Sequence, residues 1–367
     1  MDSLNLISKQ KTEKSSIKNN SFKKIILFKC IIILLVLLFI SNIYNTYFIF
    51  NLNKIVGTMN MNMNNEFSKN INNIIQEYIN TQKDFCNYPN KYLNIQFEKL
   101  IKLTNFSFRN ISYQMYVYNN SDNYMSNYII KTGNYEPTPM SNILDALHYY
   151  GIKNNIVNNK DIFMLDIGGN LGAYPSFLGK FGYSVLTFEA SPRNSYIIYK
   201  NYCHINKNSN IIIINKGLSD EEKTCNYYSQ TDGIGNGMVL CDDKKERIKA
   251  MNFNFNKTFE VKLTKLSNFL PYLSNKNIAL IKLDIEGGEG KVIEDAIDLI
   301  NKYHVPFVFT EFNPNFLKKH GTNPKKFVKL FSKNGYKISY EGFMNVPYIT
   351  SEEVNHVTNL YFTYDGN

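Results

Sequence analysis

A glycine-rich turn that directly follows a run of apolar residues constrains this chain more than any other feature. The apolar run covers residues 162–165, and the turn covers residues 166–172 with the pattern D-x-G-G-x-x-G. A short apolar run followed by such a turn predicts a buried strand that leads into a helix, here beginning near Ala173. Glycines allow a sharp turn and the close approach of a ligand, which a Cβ would prevent. The sequence therefore predicts a ligand site at this turn.

A second apolar run, at residues 184–188, ends at Glu189. An acid at the end of the second strand, about 20 residues after the glycine turn, is where nucleotide-binding sheets place the partner of the ribose hydroxyls. A carboxylate suits this role because it can accept from both hydroxyls, and each charged hydrogen bond contributes roughly 1.5–3 kcal/mol. We predict that Glu189 binds a ribose.

The acid that begins the glycine turn, Asp166, bears on the choice of ligand. A carboxylate beside a pyrophosphate would repel it, so the pattern is unlike that of a dinucleotide site. S-adenosylmethionine carries an ammonium and a sulfonium and no phosphate, and it fits an acid-led turn better. The alternative is a tight strand-to-helix turn without a ligand, and Glu189 at the expected spacing argues against it.

A group of acids follows a further apolar run at residues 278–283. Asp284, Glu286 and Glu289 share one short turn, and gathering them there is costly unless a cation is near. Ligand sites of open α/β sheets lie at the carboxyl ends of the strands, where this turn is expected. A solvated charge cluster is the alternative interpretation.

Strand and helix patterns alternate along the rest of this region, which predicts a mostly parallel sheet with helices on both faces. Helices are predicted at residues 140–150, 193–204, 290–303 and 324–333, and strands at residues 115–118, 211–215, 224–230, 259–262, 307–311, 336–340 and 360–364. The turn after the third core strand holds Ser219 and Asp220, either of which could bond an adenine amino group. A simple turn explains these two residues equally well.

The N-terminus has the pattern of a membrane anchor. Residues 1–24 are polar with six lysines, and residues 25–50 are apolar almost throughout. About 20 apolar residues span a bilayer, and lysines before the segment favour a cytoplasmic tail. A cleaved signal peptide is the alternative, but the run is long and no small-residue cleavage site follows it. We predict a single-pass type II protein with its catalytic domain in the lumen of the ER or Golgi.

Residues 51–90 form an Asn-rich stem with apolar residues at nearly helical spacing. A self-associating helix is one interpretation. We prefer a solvated, loosely helical tether, because Asn disfavours helix interiors.

The net charge of +10 gives little reason to expect a nucleic-acid partner. Residues 1–50 hold seven lysines and two acids, which leaves 34 basic and 29 acidic residues in the remainder. That excess is ordinary for a protein surface and unlike the basic footprint of a nucleic-acid binder.

Four cysteines lie beyond the predicted anchor, where an oxidising lumen would permit disulfides. Cys225 and Cys241 are the nearest pair, and we expect Cys203 to be a buried free thiol. Glycosylation sequons begin at Asn105, Asn110, Asn119 and Asn256, which is weak support for a lumenal glycoprotein in so Asn-rich a chain.

Three of these segments resemble the FkbM family of S-adenosylmethionine-dependent methyltransferases. They are residues 166–172, residues 188–190 and residues 282–289, the last with the specific pattern K-x-D-x-E-G-x-E. The resemblance covers roughly residues 162–340, and residues 133–136 are similar to the element that precedes the family's core. Residues 264–267 depart from the family's usual Thr-Leu-Asp.

The resemblance implies an α/β class I methyltransferase fold: a Rossmann-like, seven-stranded, mostly parallel sheet with helices on both faces and an antiparallel last strand. This domain would cover residues 161–367, after an N-terminal extension or cap at residues 91–160. The cofactor would be S-adenosylmethionine. The residues expected to bind it are Asp166, Gly168, Gly169, Asn170, Gly172, Glu189, Ser219 and Asp220.

The expected chemistry is methyl transfer to a hydroxyl oxygen, which a general base assists because a neutral alcohol is a weak nucleophile. The candidates for that base are Asp284, Glu286, Glu289 and Glu311, and we favour Asp284. His320 is a further possibility. The acids suit a divalent cation, but a metal is not predicted.

The location and the chemistry together favour a glycan as the acceptor. One alternative is a domain that binds the cofactor or a glycan without turnover, against which the intact acids at three strand ends argue. Another is an RNA or lipid methyltransferase, and the modest charge beyond the anchor argues against RNA.

Overall fold

The strands and helices alternate as predicted, and seven of the strands form one central sheet. The structure, a computed structural model, describes residues 69–92, 95–119, 124–205, 207, 209–230, 233–241 and 255–366. The predicted cytoplasmic tail, the predicted anchor and much of the predicted stem lie outside these residues. Within the described ranges, no helix combines the length and the apolar character that crossing a membrane requires.

Thirteen strands are present in the described residues. In chain order they are β1 Ile101–Phe108, β2 Ile111–Tyr118, β3 Ile162–Ile167, β4 Ser184–Phe188, β5 Ile211–Ile214, β6 Gly217–Leu218, β7 Lys223–Gln230, β8 Gly237–Leu240, β9 Phe255–Thr264, β10 Asn277–Leu283, β11 Phe307–Phe312, β12 Tyr336–Ser339 and β13 Thr358–Tyr364.

Helices connect most of the central strands. They are α1 (residues 69–87), α2 Ile95–Glu98, α3 Met125–Thr132, α4 Pro137–Lys153, α5 Ala173–Lys180, α6 Pro192–Ile205, α7 Leu270–Leu273, α8 Glu289–Lys302, α9 Pro314–Lys319 and α10 Pro324–Lys333. Short 3-10 turns lie at Pro89–Lys91, Asn159–Asp161 and Leu266–Phe269.

The order of the central sheet is β12-β13-β11-β10-β3-β4-β5. The strands β5, β4, β3, β10 and β11 are parallel to their neighbours in this order, whereas β13 is antiparallel to both β11 and β12. This arrangement confirms the predicted class I methyltransferase sheet with its antiparallel last strand. It also places the carboxyl ends of β3, β4 and β10 along one edge.

Continuous burial explains why the central strands could be predicted from apolar runs. All residues of β3 and β4 are buried, as expected of parallel strands covered on both faces. Side chains alternate between the faces: Met164 packs into the apolar cluster on one face, and Leu165 into the cluster on the other.

The β1–β2 hairpin of the N-terminal extension packs against α6 through a buried amide. The side chain of Asn201 accepts from Tyr116 N at 2.6 Å and donates to Tyr116 O at 3.0 Å. It also donates to Leu171 O at 2.9 Å, within the glycine turn. One asparagine therefore joins the hairpin, the helix and the turn.

The interpretation of residues 69–87 as a solvated, loosely helical tether is wrong because one side of this helix is buried. These residues are helical, and Ile71, Ile75 and Gln82 are buried. The Gln82 side chain donates to Ile211 O at 2.8 Å and accepts from Ile213 N at 3.2 Å. Helix α1 thus satisfies backbone groups of β5 at the edge of the sheet, which would otherwise be buried without partners.

Both cysteine pairs beyond the predicted anchor are joined. Cys225 bonds Cys241, as the spacing suggested, and Cys86 bonds Cys203. The expectation of a free thiol at Cys203 is wrong because α1 brings Cys86 beside α6, at a Cα–Cα distance of 5.2 Å across 117 residues of sequence.

The contact between Gln82 and β5 gives a first prediction. Replacing Gln82 with Leu leaves the Ile211 carbonyl and the Ile213 amide without their partner, so the free energy of unfolding should fall by about 2–4 kcal/mol. The matched control is Gln76→Leu on the exposed side of the same helix, which should change it by less than about 0.5 kcal/mol. Urea denaturation measures both, and equal effects would contradict the contact.

Candidate active site

A buried lysine holds together the turns that follow β3 and β10. The Nζ atom of Lys282 lies 3.3 Å from Asp166 Oδ1 and 3.4 Å from Asp284 Oδ2, and it donates to Gly168 O at 3.0 Å. Asp166 is fully buried, and its Oδ2 accepts from Thr187 Oγ1 at 2.8 Å. Burial lowers the pKa of Lys282, but the nearby carboxylates of Asp284, Asp166 and Glu136 outweigh burial and raise its pKa above the ordinary value. Asp166 is thus engaged by Lys282 and Thr187 beneath the glycine turn.

The glycines of the turn are required by packing as well as by ligand access. Gly168 has φ +92°, and a Cβ there would lie 1.8 Å from the carbonyl oxygen of Asp284. A Cβ on Gly169 would lie 2.3 Å from Thr187 Oγ1. Gly172, at φ +78°, precedes the first residue of α5. The turn can therefore lie against β4 and the β10 turn only if these positions lack side chains.

Glu189 stands at the carboxyl end of β4 and supports the same turn. Its Oε2 accepts from Asn170 N at 2.8 Å, and its Oε1 accepts from Ser191 N at 2.7 Å. Burial raises the pKa of Glu189 to about 7, although both backbone bonds oppose the rise. Each carboxylate oxygen retains a second lone pair for a ligand.

One cavity of about 330 Å³ opens at this edge of the sheet and brings together half of the predicted site. Its walls include Gly168, Asn170, Glu189, Ser219, Asp284 and Glu286 from the predicted set, and also His320. Asp166, Gly169, Gly172, Asp220, Glu289 and Glu311 are not among the residues that line it.

Asp220 faces lysines. Its Oδ2 lies 3.1 Å from Lys291 Nζ, and its Oδ1 lies 3.8 Å from Lys223 Nζ and accepts from Ser219 Oγ at 2.9 Å. Burial opposes ionisation, but these hydrogen bonds and charges lower the pKa of Asp220. Of the two residues proposed for adenine, Ser219 is therefore the one that faces the cavity.

Three carboxyl groups gather where β10 and β11 end. Carboxylate oxygens of Asp284, Glu286 and Glu311 lie within 4.8 Å of one another, a spacing that could hold a metal ion. Burial and the neighbouring acids, Asp284 first among them, raise the pKa of Glu286 well above its usual value and that of Glu311 to about 8. Glu286 also has φ +58°, a conformation that is uncommon outside glycine. The raised pKa values favour the protonated forms of Glu286 and Glu311.

The side chain of Glu289 accepts hydrogen bonds from the backbone of the turn that precedes it. Its Oε1 accepts from Ile285 N at 2.9 Å and from Gly287 N at 3.3 Å, and the side chain is buried. This carboxyl fixes the turn that presents Asp284 and Glu286.

The extension contributes a carboxyl group that the sequence analysis did not assign to the site. Glu136 has φ +39° and directly precedes α4, and its side chain makes no capping hydrogen bond with that helix. Its Oε2 accepts instead from Tyr174 Oη at 2.7 Å. Burial and then the charge of Asp284 raise the pKa of Glu136. The signal that could have identified Glu136 is the similarity of residues 133–136 to the element that precedes the FkbM family's core.

Asn194 was also missed. It is buried in α6, and it accepts from Tyr118 Oη at 2.8 Å. Its amide nitrogen lies 3.4 Å from Asn170 Oδ1 and donates to Gly235 O at 3.0 Å. It therefore joins the glycine turn to the loop before β8, a contact without any local sequence pattern.

Comparison with known proteins agrees with this geometry. Residues 166–338 match the model of the methyltransferase FkbM domain family, which confirms the predicted resemblance. The match also supports the predicted cofactor, S-adenosylmethionine. No curated protein sequence matches the chain.

Solved structures with distant likeness include three methyltransferases. Magnesium protoporphyrin IX methyltransferase from Synechocystis PCC 6803, with bound SAM, is 10% identical over 66% of this chain and 84% of that chain, with a TM-score of 0.32. Precorrin-6y C5,15-methyltransferase from Geobacter metallireducens GS-15 is 10% identical over 60% and 88%, with a TM-score of 0.28. The bifunctional kinase-methyltransferase WbdD is 9% identical over 62% and 39%, with a TM-score of 0.32.

The raised pKa values predict how stability depends on pH. In the folded state the pKa is about 7 for Glu189 and Glu289 and about 8 for Glu311, against a usual value of 4.5. These groups therefore keep their protons at a higher pH in the folded state than in the unfolded chain. The unfolded chain releases these protons first, so stability should fall as the pH rises from 5 to 8. Replacing Glu311 with Gln should lessen that fall by about 1–2 kcal/mol.

Denaturation at pH 5, 6, 7 and 8 measures this effect. The matched control is Glu260→Gln, at an exposed position of β9, which should leave the pH profile unchanged. A Glu311→Gln profile parallel to that of the unmodified protein would show that Glu311 releases its proton at an ordinary pH.

Proposed function

We propose that this protein is a membrane-anchored, S-adenosylmethionine-dependent O-methyltransferase that acts on a hydroxyl group of a glycan. The observation that carries the proposal is the single cavity shared by the glycine turn, Glu189 and the carboxyl groups of Asp284 and Glu286. The groups proposed to bind the cofactor and the candidate proton acceptors line one ligand space, which supports the proposal.

The residues of the cavity fit a cationic nucleoside cofactor. Gly168 and Asn170 would face its methionine end, Glu189 its ribose hydroxyls and Ser219 its adenine. Carboxylates favour the ammonium and sulfonium charges electrostatically. When bound, S-adenosylmethionine supplies an electrophilic methyl group.

The acids after β10 would remove the proton of the acceptor. Methyl transfer to the hydroxyl oxygen would leave the carbon–sulfur electron pair on the cofactor's sulfur, and the hydroxyl proton would need an acceptor on the protein. Asp284 suits this role because it lines the cavity and its carboxylate pairs with Lys282 at 3.4 Å. Glu286 and Glu311, with raised pKa values, can hold protons beside it.

The disulfides support a compartment outside the cytosol. Disulfides persist in oxidising environments and are rare in cytosolic proteins, and Cys86, Cys203, Cys225 and Cys241 are all paired. Together with the predicted anchor at residues 25–50, they favour the lumen of the ER or Golgi. Hydroxyl-bearing acceptors in that compartment are commonly glycans.

Binding of the cofactor tests the first part of this proposal. Replacing Glu189 with Gln removes one acceptor oxygen and the charge, so the affinity for S-adenosylmethionine should fall roughly tenfold to a hundredfold. Titration calorimetry measures it, with Glu260→Gln as the matched control that should bind normally. Normal binding by Glu189→Gln would remove Glu189 from the cofactor site.

The proton acceptor is tested by turnover. With labelled S-adenosylmethionine and a panel of glycans, Asp284→Asn should lower kcat by roughly 10²–10⁴-fold because the amide cannot accept the proton. Glu289→Gln, which keeps an acceptor oxygen for its own turn, should retain most of the activity. Methyl transfer to lipid or RNA but not to glycans would contradict the proposed acceptor, and full activity in Asp284→Asn would contradict the assigned base.

A further inference from the structure

One wall of the cavity is built by a short segment outside the central sheet. Strand β8, the two residues before it and the residue after it line the cavity without interruption, from Gly235 to Cys241. This segment belongs to a separate four-stranded sheet, whose order is β6-β9-β7-β8. The position of β8 therefore decides the shape of the ligand space on this side.

Among the described residues, one neighbouring strand and a small apolar cluster hold β8. It lies at the edge of the described sheet and pairs with β7 from Asn226↔Leu240 to Ser229↔Gly237. Its buried side chains, Met238 and Leu240, belong to a small apolar cluster with Tyr228, separate from the two large clusters of the core. Within the described part of the chain, the pairing with β7 and this small cluster thus hold the wall segment.

Covalent and polar contacts fix the two ends of the wall segment. At its beginning, Asn194 donates to Gly235 O at 3.0 Å. At its end, the disulfide joins the cavity-lining Cys241 to Cys225 of β7. Cys225 is buried and Cys241 is exposed. The disulfide thus closes the hairpin at the end opposite its loop.

We infer that the Cys225–Cys241 disulfide is a positioning element of the cofactor site, which holds β8 against the bound cofactor. This inference rests on the cofactor site of the proposed function. The disulfide acts through the wall: with the bond broken, β8 occupies the position that it has in this structure for a smaller fraction of the time. The apparent affinity falls in proportion to that fraction.

The second disulfide of the chain provides a matched control. Cys86 and Cys203 join α1 to α6 and are not among the residues that line the cavity. Their sequence separation is 117, against 16 for Cys225 and Cys241. A longer closed loop restrains the unfolded chain more, so this bond should matter more for overall stability. Loss of the Cys225–Cys241 bond is therefore expected to weaken binding more than stability, and loss of the Cys86–Cys203 bond to lower stability more than binding.

The experiment compares Cys225→Ser/Cys241→Ser with Cys86→Ser/Cys203→Ser in the full chain. Titration calorimetry with S-adenosylhomocysteine, well below each melting temperature, measures affinity, and thermal unfolding measures stability. We expect the first variant to bind about tenfold more weakly with a small drop in melting temperature. The second should bind as the unmodified protein does, with a larger drop.

Equal affinity in the Cys225→Ser/Cys241→Ser variant and the unmodified protein would overturn the inference, as would equal weakening in both variants. Failure of the unmodified protein to bind would instead overturn the proposed function. If the first variant does not fold, Gly237→Ala tests the wall with the disulfide intact, because its Cβ would lie 2.5 Å from Tyr228 O and displace β8. Weaker binding supports the positioning of β8, and unchanged binding overturns it.

Discussion

The buried ammonium of Lys282 is the interaction on which the site depends. It lies between Asp166, at the end of β3, and Asp284, just after β10, and it also bonds the carbonyl of Gly168. Removing one partner of a buried ion pair leaves an uncompensated charge and typically costs 3–5 kcal/mol. The two central turns can therefore approach each other only while this lysine neutralises their carboxylates.

The same lysine separates two kinds of acid. Asp166 is fully buried and does not line the cavity, whereas Asp284 does. Around Asp284, the carboxyl groups of Glu286 and Glu311 retain protons because burial and mutual repulsion raise their pKa values. A group of acids that are partly protonated can both donate and accept hydrogen bonds, which suits a hydroxyl-bearing acceptor.

Sequence patterns predicted the central sheet well because parallel strands buried on both faces are continuous apolar runs. The strand at residues 184–188 and the helix at residues 324–333 have the predicted bounds. The role of α1 could not be predicted, since it depends on the contact of Gln82 with β5, more than a hundred residues away. The same reason explains the unexpected Cys86–Cys203 bond.

For the site, the pattern predicted which residues lie at the sheet edge but not where their side chains point. Glu189 and Asp284 reach the cavity. Glu289 turns to the backbone of Ile285, and Asp220 to Lys291. Neighbours from distant elements decide these directions. Asn194 was missed because it reaches the site through a tertiary contact with Gly235. Glu136 was missed because it interacts with Asp284 only through the tertiary fold.

The most direct test is a crystal structure of the protein with S-adenosylhomocysteine. The account predicts that the ligand fills the cavity, with its ribose hydroxyls within hydrogen-bonding distance of Glu189 and its sulfur on the side of Asp284. A cavity without the ligand at saturating concentration, or a ligand bound elsewhere on the molecule, would contradict it.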